Sequence, residues 1–264
     1  MPFARVNGIV VHHDVSGSKD KPPLVLINSL GTDLRIWEPV AVRLADRYRI
    51  VRYDKRGHGL SEEPEPPYAL TDHVADLAAL LDHLGIERAA IVGLSVGGLI
   101  AQGLAALHPE RVAALVLSDT AHKIGTREGW DDRIDLVSRK GLAAIADDVM
   151  PRWFTPAFRR PDNPEYVGFR TMFLRSPVAG YVGTCASLRD ADLTESTRAL
   201  AVPTLCIVGD QDGSTPPDLV RSLASLIRNA EFRIVPGAGH IPGVEKPDAV
   251  AALISGFLHG AKYG

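Results

Sequence analysis

Three side chains set far apart in this sequence have the makings of a nucleophilic site: Ser95, His240 and an aspartate between them. Ser95 stands in Gly93-Leu-Ser-Val-Gly97, a G-x-S-x-G pattern that follows the apolar run Ala89 to Val92 and opens another at Val96. A serine on such a strand-to-helix turn projects at a helix N-terminus, where free N–H groups and the dipole favour a developing negative charge. The glycines two before and two after it let neighbouring chain come close. The pattern by itself also fits a glycine-rich turn with an idle serine; the strand before it and the helix after it supply the specificity. A serine hydroxyl needs a base within hydrogen-bond reach. His240 is the candidate among nine histidines, because Gly237-Ala-Gly-His240 directly follows the last strand-like segment.

The acid is expected on the loop after the penultimate strand, in Gly209-Asp-Gln-Asp212. The Gly-x-x-Asp spacing favours Asp212, with Asp210 as the alternative or as a brace for the loop. Its work would be to hold the imidazole tautomer and stabilise the imidazolium. The oxyanion of a tetrahedral intermediate needs two main-chain donors. Val96, the residue after the serine, supplies one, and Leu30 in the loop Asn28-Ser-Leu-Gly31 supplies the other. Of the remaining histidines, His12 and His13 are expected on an edge strand, and His73, His83 and His259 on helices. His58 reads as structural, in the turn Arg56-Gly-His-Gly59. His122 opens an insertion and is a candidate for substrate contact by analogy of fold.

The elements that must position these residues alternate in kind. A hairpin-like region spans Val6 to Val15, and compact apolar strands follow at Leu24–Asn28, Arg49–Tyr53, Ala89–Val92, Ala113–Ser118, Pro203–Val208 and Glu231–Val235. Near-continuous apolar runs fit strands buried on both faces. Val74, Leu77, Leu80, Leu81 and Leu84 recur at helical spacing between Thr71 and Leu84, and Val96–Leu107 is apolar all round, as for a helix buried against a sheet. The alternation predicts an α/β fold with a mostly parallel sheet flanked by helices. It stops between about Ala121 and Leu193, where Pro151, Pro156, Pro161, Pro164 and Pro177 cut a strand-free stretch into short helices and turns. We expect a helical lid over residues 121–193, inserted into a core of residues 1–120 and 194–264, all one domain. Ligands of open α/β sheets bind at the carboxyl edge that such a lid covers.

Composition narrows the classes. At 45% hydrophobic and 23% charged residues the chain reads as an ordinary globular protein, and a net charge of −3 offers no basic surface for nucleic acid or anionic membrane. The apolar run in the opening residues is too short for a leader or anchor, and no segment reaches a spanning length. Cys185 and Cys206 make neither a disulfide framework nor a metal pair. The expectation is a cytoplasmic enzyme with no metal and no organic cofactor; a homo-oligomer is compatible with the sequence.

At this level of detail NSLGTDLRIWEP, YDKRGHGLSE, VGLSVGGLIAQGLAALHPERV and LSDTAHKIGT resemble the α/β-hydrolases, and among them the 3-oxoadipate enol-lactonases. The likeness continues in Trp130-Asp-Asp-Arg-Ile134, Arg152-Trp-Phe-Thr-Pro156 and Arg189-Asp-Ala-Asp192, while His240-Ile-Pro-Gly243 departs from the family pattern beside the base. The resemblance implies an α/β-hydrolase fold and opening of a small carboxylate-bearing enol-lactone through an acyl-enzyme. Such an acidic substrate needs a cationic partner, for which Arg133 is the candidate unless it is a solvated arginine on a lid helix. Trp130 and Trp153 would pack against the lactone ring or form the lid's own core. Other readings are an esterase, a carbon–carbon bond hydrolase, a perhydrolase, or a ligand receptor on a hydrolase scaffold.

Overall fold

The computed structural model describes residues 2–264. Asn7 and Gly8, with φ of 46° and 82°, make a left-handed two-residue turn whose twist suits antiparallel strands, and so join β1 (Phe3–Val6) to β2 (Ile9–Ser16). The chain continues through β3 (Pro23–Ile27), α1 (Glu38–Leu44), β4 (Arg49–Tyr53), α2 (Leu70–His83), β5 (Ala89–Leu94), α3 (Val96–Leu107) and β6 (Val112–Ser118). A helical insertion follows, α4 (Arg127–Lys140), α5 (Ala146–Trp153), α6 (Pro164–Leu174), α7 (Val178–Asp190) and α8 (Thr194–Arg198). It ends with β7 (Thr204–Gly209), α9 (Pro217–Leu226), β8 (Glu231–Val235), α10 (Pro242–Glu245) and α11 (Pro247–Gly260).

The eight strands form one sheet in the order β1-β2-β4-β3-β5-β6-β7-β8. The β1–β2 and β2–β4 pairs are antiparallel and the others parallel. His12 and His13 therefore sit on an interior strand, contrary to expectation: β1 folds back over the outer side of β2, and both side chains are buried. The opposite edge is β8, where Glu231, Arg233 and Ile234 are exposed, so burial on both faces stops one strand short of the end.

Successive residues of a strand face opposite sides. Leu24 and Leu26 thus enter one core with α1 and α11, while Val25 and Ile27 enter the other with α2 and α9. Helix α3 serves both, Leu99 in the first and Ile100 and Leu104 in the second, which is why its sequence is apolar all round. The two ends of the insertion are tied by the Leu193 N–H donating to the His122 carbonyl at 2.9 Å. Pro151 does not end a helix as expected but lies inside α5. The acceptor its missing N–H would have served is the carbonyl of Asp147, an exposed residue, where water can take its place.

The loop after β4 is fixed by buried charge. Asp54 accepts from the Leu34 and Leu60 N–H groups at 2.8 and 2.9 Å and pairs with His12 Nδ1 at 2.7 Å. Arg56 makes a two-pronged contact with Asp76 of α2 at 2.7 and 2.8 Å. Both side chains of that pair are almost fully buried, so removing the cation strands a carboxylate in the core. Arg56→Met is expected to lower stability by about 3–5 kcal/mol. Urea unfolding measures it; a loss below about 1 kcal/mol would mean that Asp76 finds another partner or water.

Candidate active site

Five adjacent parallel strands, β3, β5, β6, β7 and β8, deliver their carboxyl ends to one edge of the sheet, and the candidate residues sit on the loops that leave them. Ser95 lies between β5 and α3 with φ 58° and ψ −119°, a conformation that costs an L-residue energy and persists only where packing enforces it. A Cβ on Gly93 would stand 2.2 Å from the Gly97 carbonyl oxygen, and one on Gly97 would stand 2.5 Å from that of Ile27. Neither position admits a side chain. The Ser95 N–H donates to Ser118 at 3.0 Å, and the Thr120 hydroxyl donates to the Ser95 carbonyl at 2.6 Å, so β6 clamps the turn from the other side.

Asp212 reaches His240: its Oδ2 is 2.9 Å from the ring Nδ1. The same oxygen accepts the Thr215 hydroxyl at 2.7 Å, and Oδ1 accepts the Ser214 and Thr215 N–H groups at 2.7 and 3.0 Å. Burial pushes this carboxyl up, but the charge of His240 and the hydrogen bonds from His240 and Thr215 outweigh it and hold the pKa below the ordinary value. Asp210 does the other job foreseen for the pair, accepting from the Gly237 and Ala238 N–H groups at 2.8 and 3.3 Å and so fixing the loop that leads to His240.

A third carboxyl, unforeseen in the sequence, sits beside these two. Asp119, at the end of β6, is fully buried; it accepts the Gly209 N–H at 2.9 Å and the Ser118 hydroxyl at 2.6 Å. Burial first, and the neighbouring Asp212 second, raise its pKa well above the usual carboxylate range. Donor atoms of Asp119, Asp212 and His240 all lie within 4.8 Å of one another, a spacing that suits a cation. Asp212, however, already accepts two N–H groups on one oxygen and the Thr215 hydroxyl and the His240 ring on the other, and Asp119 accepts one donor on each oxygen, so the trio fits a hydrogen-bonded cluster better than a metal site.

Leu30 and Val96 stand just beyond the carboxyl ends of the neighbouring strands β3 and β5, and neither N–H is given to an acceptor among the described residues. Ser29, Leu30, Ser95, Thr215 and His240 line one cavity of about 210 Å³, below the roughly 300 Å³ at which pockets for drug-sized ligands begin. The insertion supplies the opposite wall with Trp130, Arg133, Trp153 and two residues that sequence reasoning passed over, Arg152 and Tyr181. Arg133 donates to the Tyr181 hydroxyl at 3.2 Å and lies 5.8 Å from the centre of the Trp130 ring. Trp130 itself donates to the Ile124 carbonyl at 2.6 Å, and Trp153 packs edge-on against Phe173 at 5.3 Å. Neither Arg133 nor Arg152 makes an ion pair among the described residues. His122 is not among the residues that line this cavity; its carbonyl closes the base of the insertion. Arg152 could have been found in the quoted Arg152-Trp-Phe-Thr-Pro156, and Asp119 by the rule that led to Asp212, an acid at a strand's carboxyl end.

This arrangement defines a class. Residues 24–253 match the model of the alpha/beta hydrolase family, and the chain belongs to that family. It is similar to 3-oxoadipate enol-lactonase 2 of Acinetobacter baylyi, with 37% identity over 91% of this chain and 90% of that one. Among solved structures, the enol-lactonase from Burkholderia xenovorans LB400 superposes with a TM-score of 0.95 at 37% identity, covering 98% of this chain and all of the other. A malate-bound thermophilic esterase from Thermogutta terrifontis superposes at 0.92 with 28% identity over 98% of each chain. The chain is thus an enzyme, a hydrolase of the carboxylic ester type. No helix among the described residues is long and apolar enough to cross a membrane.

The raised pKa of Asp119 fixes the sign of one prediction. The folded state binds this proton more tightly than the unfolded state does. Its contribution to stability is therefore complete below about pH 4 and fades as pH rises through the folded value. Asp119→Asn keeps the shape of the protonated acid and is expected to raise Tm at pH 8 and leave it unchanged at pH 4. The same gain at both pH values would show that the native carboxyl does not hold its proton.

Proposed function

We propose that the protein opens a small, carboxylate-bearing enol-lactone, of which 3-oxoadipate enol-lactone is the leading candidate, through an acyl-enzyme on Ser95. The observation that carries this reading is a small cavity lined by Ser95, by His240 with buried Asp212 behind it, and by two arginines that make no ion pair among the described residues. Ser95 attacks the lactone carbonyl while His240 takes its proton, and Asp212 holds the imidazole and balances the imidazolium. The oxyanion lies between the N–H groups of Leu30 and Val96. Collapse breaks the ring C–O bond, and His240 returns its proton to the departing enol oxygen, which tautomerises to the ketone. Water, deprotonated by His240, then attacks the acyl-enzyme, and the second carboxylate of the product leaves with Ser95 restored.

Arg133 and Arg152 would hold the substrate's own carboxylate, with Trp130 and Trp153 against the ring. His122 has no part in this scheme. The similar enol-lactonases support the substrate class; the similar esterase supports a plain small-ester hydrolase as the rival. Placement in the cytoplasm and a role in aromatic catabolism by the β-ketoadipate pathway follow from the same reading.

Ser95→Ala and His240→Ala are each expected to lower kcat by about 10⁴ or more. Retained turnover in either would remove the nucleophile assignment. For specificity, the rate on 3-oxoadipate enol-lactone is compared with that on a short neutral p-nitrophenyl ester. Arg133→Ala and Arg152→Ala should each raise KM for the acidic lactone by about 10–100-fold and change the neutral ester little. An equal effect on both substrates, or feeble lactone opening beside fast ester turnover, would overturn the acidic lactone as substrate.

A further inference from the structure

The peptide group that presents the Leu30 N–H carries, on its other side, a lysine that the reaction as drawn does not use. Lys55 is only 1% exposed, and its Nζ donates to the Ser29 carbonyl oxygen at 2.5 Å. It makes no ion pair among the described residues. Burial pulls its pKa well below the usual lysine value, against the opposing pull of Asp54 and Asp33. A lysine placed so is costly to bury, and a mere strut does not require one. Thr32 already donates to the same oxygen through its hydroxyl at 2.9 Å and its N–H at 3.4 Å, enough for the two lone pairs of a carbonyl.

The geometry explains what a third donor adds. The peptide bond is planar and trans, so the Ser29 oxygen and the Leu30 hydrogen point to opposite sides of one rigid unit. Whatever grips the oxygen sets where the hydrogen points, and a strong donor on the oxygen makes the N–H a stronger donor in turn. The next N–H along, that of Gly31, is taken by His58 Nε2 at 3.0 Å, while the His58 Nδ1–H donates to the Arg56 carbonyl at 3.1 Å. Burial keeps His58 neutral, as an accepting Nε2 requires. Lys55 and His58 come from one loop, Asp54 to Gly59, and between them they hold the Ser29 oxygen and the Gly31 N–H, leaving the Leu30 N–H without an acceptor among the described residues, on a residue that lines the same cavity as Ser95.

We propose that Lys55 is a positioning residue for the oxyanion site: it acts through the Ser29–Leu30 peptide, aiming and polarising the N–H that meets the developing oxyanion. Its effect falls on the transition state more than on substrate binding. This rests on the reading of Ser95 as nucleophile and Leu30 as donor.

The test compares Lys55→Met, Lys55→Gln and Ser95→Ala with the parent. It reads Tm, kcat and KM on the lactone or a p-nitrophenyl ester, and Ki for an alkylboronic acid, whose tetrahedral adduct with serine puts an anionic oxygen where the oxyanion forms. Lys55→Met is expected to lower kcat about 10–100-fold with KM within about twofold, to raise the boronate Ki in proportion, and to leave Tm unchanged or higher. Lys55→Gln, which keeps a neutral donor, should recover part of both losses. Parent-like kcat and Ki in Lys55→Met, or a loss of kcat that only follows a loss of Tm in both variants, overturns the proposal. If Ser95→Ala is inactive while Lys55→Met matches the parent, Lys55 alone is dismissed. If Ser95→Ala keeps activity or boronate binding, the nucleophile reading fails and takes this inference with it.

Discussion

The end of β3 and the start of α3 touch with no room for a methyl group: a Cβ on Gly97 would stand 2.5 Å from the Ile27 carbonyl oxygen. That contact joins two loops with separate duties. Ile27 is the last residue before Asn28 to Gly31, which offers the Leu30 N–H, and Gly97 lies two residues after Ser95, in the first turn of α3, beside the Val96 N–H. Because β3 and β5 are neighbours, with Ile27 paired to Gly93, the sheet brings the two loops level, and the glycines let them close. In an interior as dense as a protein's, an added atom here would have to displace backbone rather than a side chain. The strained backbone of Ser95 is a consequence of the same closeness, held by Ser118 at the end of β6 and Thr120 just beyond it.

Charge in the site is arranged by giving like groups unlike surroundings. Asp212 and Asp119 are both buried carboxyls within a few ångströms of His240. Asp212 is ringed by donors, and its pKa falls; Asp119 has fewer donors and a charged neighbour, and its pKa rises. One negative charge beside the imidazole is thereby favoured over two, which would repel each other at this distance.

The insertion is bound to the loops that carry Asp212 and His240 more directly than a simple cover would be. The Gly213 N–H donates to the Arg152 carbonyl at 3.2 Å and the His240 N–H to that of Trp153 at 2.9 Å. Glu245 accepts from the Thr155 hydroxyl and N–H with one oxygen and from the Gly239 N–H with the other. Residues 152–155 are therefore part of the frame that holds the acid and the histidine. Arg152, which lines the cavity, sits on that frame, whereas Arg133 and Trp130 belong to α4, packed on α7 further out.

The local features of this protein were legible because they depend on a few neighbouring residues. The Ser95 turn needs glycine at 93 and 97 for reasons of backbone contact alone, and the alternation of apolar strands with amphipathic helices sets the sheet and its strand-free insertion. What could not be read was which groups from distant loops meet. Asp210 and Asp212 stand two residues apart with the same chemistry, and only the approach of the Gly237–His240 loop gives one to the imidazole and the other to backbone N–H groups. His122 was expected at the cavity and instead closes the insertion, because Leu193 returns to it from the far end. Arg152, Asp119 and Lys55 stand in stretches that the sequence marks, but no local spacing says what each one meets; they matter through neighbours remote along the chain. By itself the sequence determined the elements, the tight turn at Ser95 and the histidine after the last strand. The tertiary structure decided the partners, since hydrogen bonds and buried charge depend on ångström distances between strand ends that no local spacing encodes.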